Sequence, residues 1–600
     1  MIEPTRISFD ESLVIVLLLM NPRMLASAAA ALLSACAAPN IDEAARRPNI
    51  VVVITDDQGY GDLGRHGNSV IRTPRIDALG EESVRLTNYH VDPTCAPTRA
   101  ALLTGRYSSR TGVWHTIMGR SIIRADEKLL PEILADAGYQ TGMFGKWHLG
   151  DNYPARPEDR GFQRVTRHGG GGVGQTPDFW GNDYFDDVYW SAGAPIARNG
   201  YCTDVFFDDA LAFIEENHDR PFFAYVSTNA PHSPFLVEER YSRSYAEQGV
   251  PDPMDKFYGM IENIDDNVGR LIDKLDELGL RENTILIFTT DNGTAAGVAP
   301  DGAPFTDSRW GGFNAGMKGR KGSEYDGGHR VPFFLRWPAG GLGEPRDVDA
   351  LTAHIDVLPT LLGLIGAEVP AGLDLDGHNL GPLLRGAAPP PERTLFVHSQ
   401  RVDIPEKYRK SAVMTARWRL VNGAELYDID ADPGQRSDAA AEHPAVVDEL
   451  RAAYDGWWAR ISERFGERVP IRIGAAGENP ARLTAHDWLP DSGRDQDVPW
   501  NQELIRRDPA VNGRWRVEVA QAGRYEFSLL QWDRQASRAI DAVMAGVKVG
   551  DREATTRVEA GASEVRLELD LPAGETWLRT SFTAASGAER GAFFVYVQRR

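Results

Sequence analysis

Four hard oxygen donors stand at the ends of two apolar runs in this 600-residue chain. "PNIVVVITDDQGYGD" breaks from β-branched residues into Asp56 and Asp57, and "NTILIFTTDNGT" breaks into Asp291 and Asn292. Carboxylates and a carboxamide, with no histidine or thiolate among them, suit calcium or magnesium better than zinc. Either pair alone is common in a surface turn, but two such pairs at one sheet edge describe a cation site. A second group is cationic. "GYQTGMFGKWHLG" holds Lys146 and His148, "APHSP" holds His232, and "GMKGRKGSEYDGGHRVP" holds Lys318, Arg320, Lys321 and His329. Gathered beside a divalent cation, such residues would hold a multiply charged oxyanion. "PTCAPTRAALLTGR" adds Cys95 and Arg99 around Pro97, where a helix is expected to begin. The backbone N–H groups of its first turn would face the same anion.

These side chains need elements to position them. Residues 48–57, 220–234 and 283–294 read as buried strands of a parallel sheet, each ending in polar residues. Residues 255–280 place Phe257, Met260, Ile261, Ile264, Val268, Leu271, Ile272 and Leu275 at helical spacing, with Gly279 suited to the C-cap. Alternating strands and helices predict an α/β sandwich, and ligands in such folds collect beyond the carboxyl ends of the strands. From about residue 395, "TLFVHSQ", "SAVMTARWRLV" and "ELYDIDADPG" read as short antiparallel strands, followed by an amphipathic helix around Leu450 and Trp457. After about residue 471 the pattern alternates with period two and predicts a separate β-sandwich.

Sixty-five basic against 86 acidic residues give a formal net charge of −21, which argues against nucleic-acid binding. The N-terminus, taken from Met20, reads as a short export signal. Arg23 is its positive end, an apolar run follows, and small residues precede Cys36. "LSAC", residues 33–36, resembles the lipobox of bacterial lipoproteins, whose cysteine is lipidated. The expected layout is therefore a signal over 1–36, a tether over 37–47, a catalytic α/β region over 48–394, an antiparallel sheet with a helix over 395–470, and a β-sandwich over 471–600. The expected location is the periplasm or outer membrane of a bacterium, with membrane contact only through a lipid on Cys36. Of three cysteines, Cys95 and Cys202 then remain.

The residues now reach a known family. "PTCAPTRAALLTG" resembles the first signature of the type I sulfatases, and "GYQTGMFGKWH" resembles the second, with Phe144 where a smaller residue is usual. "ITDDQGYGD", "FTTDNG" and "KGSEYDGGHRVP" match further blocks, with Asp326 where glutamate is more often found. The resemblance covers roughly residues 48–470 and implies the alkaline-phosphatase-like fold, in agreement with the α/β reading. It implies that a maturation enzyme oxidises Cys95 to formylglycine (3-oxoalanine). It implies calcium, or magnesium, on Asp56, Asp57, Asp291, Asn292 and an oxygen of modified residue 95. Arg99 and Lys146 would hold the aldehyde hydrate, His148 would act as a base beside it, and His232 and Lys321 would contact the sulfate. Lys318 and His329 have no clear role in the family. One hydrate hydroxyl would attack sulfur, His232 or Lys321 would protonate the leaving alkoxide, and loss of a proton from the second hydroxyl to His148 would release sulfate. If Cys36 and Cys95 are both modified, Cys202 has no intramolecular disulfide partner.

The substrate class implied is an aryl sulfate or a sulfated carbohydrate. A phosphodiester or phosphonate monoester hydrolase on the same scaffold, and an inactive glycan-binding lipoprotein, are the competing readings. "RHGGGGVGQTPDFWGNDYFDDVYW" offers Trp180, Tyr184 and Trp190 for stacking on a ring, while "WLPDSGRDQDVPWNQ" offers aromatics without a readable site.

Overall fold

In Asn49–Thr55 every side chain is buried, and five of the seven are valine or isoleucine. Such a segment is stable only with partners on both edges and cover on both faces. The computed structural model, which describes residues 47–296, 298 and 312–600, places it at the centre of a ten-stranded sheet. It pairs in parallel with Phe222–Ser227, Ile50 opposite Phe223, and with Thr284–Thr290, Val51 opposite Leu286. Gln140–Gly145 and then Arg164–Arg167 extend the parallel run on one side. The flanks depart from the expected parallel pattern. Phe333–Arg336 runs antiparallel to Thr284–Thr290, and the hairpin Val188–Ser191/Ala194–Ala197 closes the opposite edge. A hairpin needs only a two-residue turn, whereas another parallel strand needs a long crossover.

Alternation along the central strand feeds two cores. Ile50, Val52 and Ile54 face one layer, where Ala100, Leu102 and Leu103 of the helix Cys95–Thr104 pack. Val51 and Val53 face the other, against Met260, Ile264, Val268 and Leu271 of the helix Met254–Glu277. That second helix matches its sequence expectation closely, and Gly279 follows it at φ 68°. The first begins at Cys95, two residues before the expected start. Pro97 therefore lies inside the first turn, where a missing N–H leaves no helical bond unmade.

A four-stranded antiparallel sheet spans Leu395–Asp428, and the helix Pro444–Ile461 packs Leu450, Tyr454 and Trp457 against it. Two further sheets follow from Ile471 onward, their strands reading buried–exposed with period two, as in Val565–Leu571. Trp488, Trp515 and Phe527 from these sheets share one continuous core with Leu130, Trp147 and Phe223 of the α/β layers. Pro48–Arg600 is accordingly one compact unit. The export signal, the lipobox with Cys36 and the tether lie outside the described residues, apart from Arg47.

Candidate functional site

The strands Asn49–Thr55 and Thr284–Thr290 are adjacent and in register, so Asp56 and Asp57 emerge beside Asp291 and Asn292. Ligand atoms of Asp56, Asp57, Cys95 and Asp291 lie within 4.8 Å of one another, all buried. Asp57 reaches this position with φ at 71°, a left-handed conformation that costs a non-glycine residue energy. Its N–H donates to Asp291 Oδ1 at 3.2 Å, and Asn292 Nδ2 donates to Asp57 Oδ1 at 2.9 Å. Gly293 has no room for a side chain, because a Cβ there would overlap the carbonyl of Gly327.

Each carboxylate has its own cation. Arg99, fully buried, donates from Nε and Nη2 to Asp291 Oδ2 at 3.0 and 2.7 Å. Its Nη1 donates to Ser227 Oγ and, at 3.2 Å, to the Lys146 carbonyl. Lys146 Nζ lies 2.7 Å from Asp56 Oδ2, with both groups buried. Lys321 Nζ lies 2.5 Å and His232 Nε2 3.7 Å from the two oxygens of Asp57. Burial pushes the Asp56 carboxyl up to about 8 against the pull of Lys146. Burial also works on Asp57, yet Lys321 and His232 hold it well below the usual carboxylate range. Two oxygens in this cluster, Asp56 Oδ1 and Asn292 Oδ1, are buried without a hydrogen-bond partner. A buried acceptor left unpaired is costly, and a hard cation among these oxygens would satisfy both. The donor set fits calcium or magnesium.

Cys95 opens the helix beside this cluster, preceded by Thr94 in extended conformation. Burial pushes its thiol up to about 12, so the unmodified side chain is not a thiolate at neutral pH. His148, at φ 63°, donates from Nε2 to the Thr116 carbonyl at 2.9 Å, which leaves Nδ1 without a proton and without a partner. Burial, with Lys146 adding to it, keeps the ring well below the usual histidine range and therefore neutral. His232 donates from Nδ1 to the Ser233 carbonyl at 2.7 Å, so its Nε2 is the lone-pair nitrogen. Cys95, Thr116, His148, His232 and Lys321 line one cavity of about 70 Å³.

Eight sequence-derived basic residues and four oxygen donors were expected around one centre. Arg99, Lys146, His148, His232 and Lys321 are brought together there with Asp56, Asp57, Asp291 and Asn292. Arg99 and Lys146 grip the carboxylates of Asp291 and Asp56. Lys318 instead packs its ammonium 3.7 Å from the centre of the Tyr325 ring. His329 belongs to a separate buried cluster with His90 and Asp326, where the two Nδ1 atoms lie 2.9 Å apart. Of the aromatics proposed for stacking, Tyr184 is fully buried and donates to the His232 carbonyl at 2.8 Å. Trp180 packs on Phe594, and Trp190 packs against Phe179. None of the three lines the cavity. Residues that do line it but were not singled out from the sequence include Gln175, Arg401 and Trp500. "VPWNQ" carried Trp500 in view, but nothing local to it reports proximity to Cys95. Among the described residues Cys95 and Cys202 are both free and buried.

Comparison with known proteins agrees with this geometry. The family model described as "Sulfatase" matches residues 48–367, and that described as "N-sulphoglucosamine sulphohydrolase, C-terminal" matches residues 320–453. The chain is 32% identical to arylsulfatase A of Homo sapiens over 475 residues, covering 73% of this chain and 86% of that protein. It is 28% identical to an ulvan-active sulfatase of Formosa agariphila, covering 70% and 83%. The solved structure of Ps i-CgsB in complex with k-i-k-neocarrahexaose superposes with a TM-score of 0.61 at 26% identity, covering 68% of this chain and 92% of that one. An acidic site built for a hard cation, a cysteine at a helix start beside it and these matches across the α/β region lead to one conclusion: the chain belongs to the sulfatase family, enzymes that hydrolyse sulfate esters.

Proposed function

We propose that the protein removes sulfate from a sulfated carbohydrate or an aryl sulfate, with formylglycine made from Cys95 and a calcium ion, or magnesium, held by Asp56, Asp57, Asp291 and Asn292. The observation that carries this reading is the pair of orphaned buried oxygens, Asp56 Oδ1 and Asn292 Oδ1, in the acidic cluster whose ligand atoms include that of Cys95. When present, the aldehyde hydrate and the cation would supply an oxygen nucleophile and offset charge on the sulfuryl group. The chain's own residues do the rest. Arg99 and Lys146 lock Asp291 and Asp56 in place from below. His232 and Lys321 reach Asp57 from the cavity side; Lys321 is placed to hold the sulfuryl oxygens and to hand a proton to the leaving oxygen, and His232 can do either only once its Nε2 is protonated. His148, with its Nε2 proton committed to Thr116, presents Nδ1 as a base. The "LSAC" motif supports export and a lipid anchor at Cys36, to be checked by fatty-acid labelling of wild type and Cys36→Ala.

The test combines two measurements on protein made together with a maturation enzyme. Mass spectrometry of the peptide containing residue 95 should show an aldehyde in place of the thiol. Sulfate release should be measured with nitrophenyl sulfate and a panel of sulfated saccharides, beside a phosphonate monoester. An intact thiol in fully active protein, or turnover of the phosphonate alone, would overturn the reading.

A further inference from the structure

The cavity over Cys95 is about 70 Å³, far below the ~300–1,000 Å³ of a site that engulfs a whole small ligand. It has room for a sulfuryl head and little more. The group bearing the sulfate must therefore lie across the mouth, and the residues there decide what is accepted. Two of them come from outside the α/β layers that build the catalytic centre. Arg401 follows the strand Leu395–His398, and Trp500 follows the 3-10 turn Asp495–Asp497. Trp500 lies beyond residue 453, where the matches to the family models end.

Trp500 is held as firmly as a core residue although its own side chain is only partly buried. Thr176 donates its N–H to the Trp500 carbonyl at 3.0 Å and its hydroxyl to the Pro499 carbonyl at 2.6 Å. Gln502 donates from its backbone N–H to the Gly174 carbonyl at 3.1 Å and from Nε2 to the Phe179 carbonyl at 2.9 Å. These bonds staple the segment to the glycine-rich loop, and Gln175 of that loop accepts from the N–H of Gly171, which abuts the His148 ring. The indole is thus positioned from the same loop that backs the catalytic histidine. Arg401 is exposed and, among the described residues, makes no hydrogen bond or ion pair. A cation at a cavity wall without a partner is available to an anion from solvent, while Lys146, Lys321 and Arg99 are each already committed to a carboxylate.

We infer that Trp500 and Arg401 form a substrate subsite for a sulfated sugar that carries a second anionic group: the ring lies on the Trp500 indole, and a carboxylate or further sulfate pairs with Arg401. An aromatic face suits the C–H surface of a pyranose, and a guanidinium fork suits either oxyanion. This inference rests on the sulfatase reading and adds to it the class of substrate.

The test uses full-length, matured protein. Steady-state kinetics of wild type, Trp500→Phe, Trp500→Leu and Arg401→Gln are compared on a monosulfated monosaccharide, its disulfated counterpart and a sulfated uronic acid. Melting temperature and the extent of residue-95 conversion are recorded for each variant. Trp500→Leu, which keeps apolar bulk but no aromatic face, should raise KM on the sugars by about tenfold or more, and Trp500→Phe should recover most of that loss. Arg401→Gln should cost about tenfold more in kcat/KM on one of the dianionic sugars than on the monosulfated one, and which of the two responds identifies the second group. Trp500→Leu and Arg401→Gln both indistinguishable from wild type on sugars that wild type hydrolyses would overturn the subsite alone. Converted wild type inert on every sulfate ester would overturn the sulfatase reading itself.

Discussion

Arg99→Met is the sharpest perturbation of the buried charge network. Arg99 and Asp291 are both fully buried, and two guanidinium N–H groups converge on one carboxylate oxygen. Methionine fills similar space and removes all of the charge, leaving Asp291 Oδ2 without its donors, while the Lys146 carbonyl keeps the Ser227 hydroxyl at 2.8 Å. Breaking one side of a buried pair costs about 3–5 kcal/mol, because the surviving charge stays desolvated. In a body of this size each kcal/mol moves the melting point by only about 1 °C, so Arg99→Met should melt about 3–4 °C below wild type in chelator. Calcium on Asp291 would supply the missing positive charge, so the deficit should shrink when calcium is added. Arg99→Lys, with the charge but not the fork, should fall between the two. The assay is differential scanning fluorimetry of all three proteins, with chelator and with calcium. An Arg99→Met melting point within about 1 °C of wild type in chelator would refute the claim that this pair bears on stability.

Other perturbations follow from the same geometry. Lys321→Ala should lower kcat/KM for sulfate release by about 10²–10³, as loss of one charge-stabilising donor does elsewhere, with a melting point close to wild type. Gly171→Ala forces a Cβ into the His148 ring and should depress kcat while the bound cation, counted by elemental analysis, is retained. Exhaustive chelation should abolish sulfate release, and titration with calcium should restore it; activity indifferent to chelator with no bound metal would exclude the cation site. Glu478 joins the C-terminal sheets to the α/β layers, accepting from the Tyr153 N–H at 2.9 Å and Asn152 Nδ2 at 3.1 Å. Burial raises its carboxyl from 4.5 to about 7. A raised folded value means stability that is complete below 4.5 and lost as pH climbs through 7. Glu478→Gln should therefore gain on wild type by up to about 3 kcal/mol between pH 4.5 and pH 8, at about 1.4 kcal/mol per unit, and a melting-point difference flat across that range would contradict it.

The central strands and the long helix were legible because both faces of the one, and one face of the other, are paid for by burial, and burial writes itself as period. Asn49–Thr55 is apolar throughout because it lies between two layers, and Met254–Glu277 repeats its apolar residues every turn because only one side meets the sheet. The oxygen donors were legible for a related reason: a buried strand that ends in two acids must have something to neutralise them. The antiparallel edges of the sheet were less so, since strands of four residues, whether wholly buried or wholly exposed, carry too little periodicity to reveal direction.

By itself, the sequence determined the chemistry of the centre: hard oxygen ligands, a cysteine within a specific signature, and lysines and histidines in glycine-rich loops. Only the tertiary structure decided how the charges are shared. Arg99 could have faced residue 95 or a metal ligand, and it is the register between Asn49–Thr55 and Thr284–Thr290 that brings Asp291 under its guanidinium. Tertiary structure also decided which aromatic stands over the site. Trp180, Tyr184 and Trp190 lie close in sequence to a glycine-rich loop, yet they turn into packed interfaces, while Trp500 arrives from more than 400 residues beyond Cys95. Burial and ligand identity are properties of a residue and its near neighbours, so a chain can display them locally. Proximity between distant segments depends on how whole layers pack, and no single stretch of sequence records it.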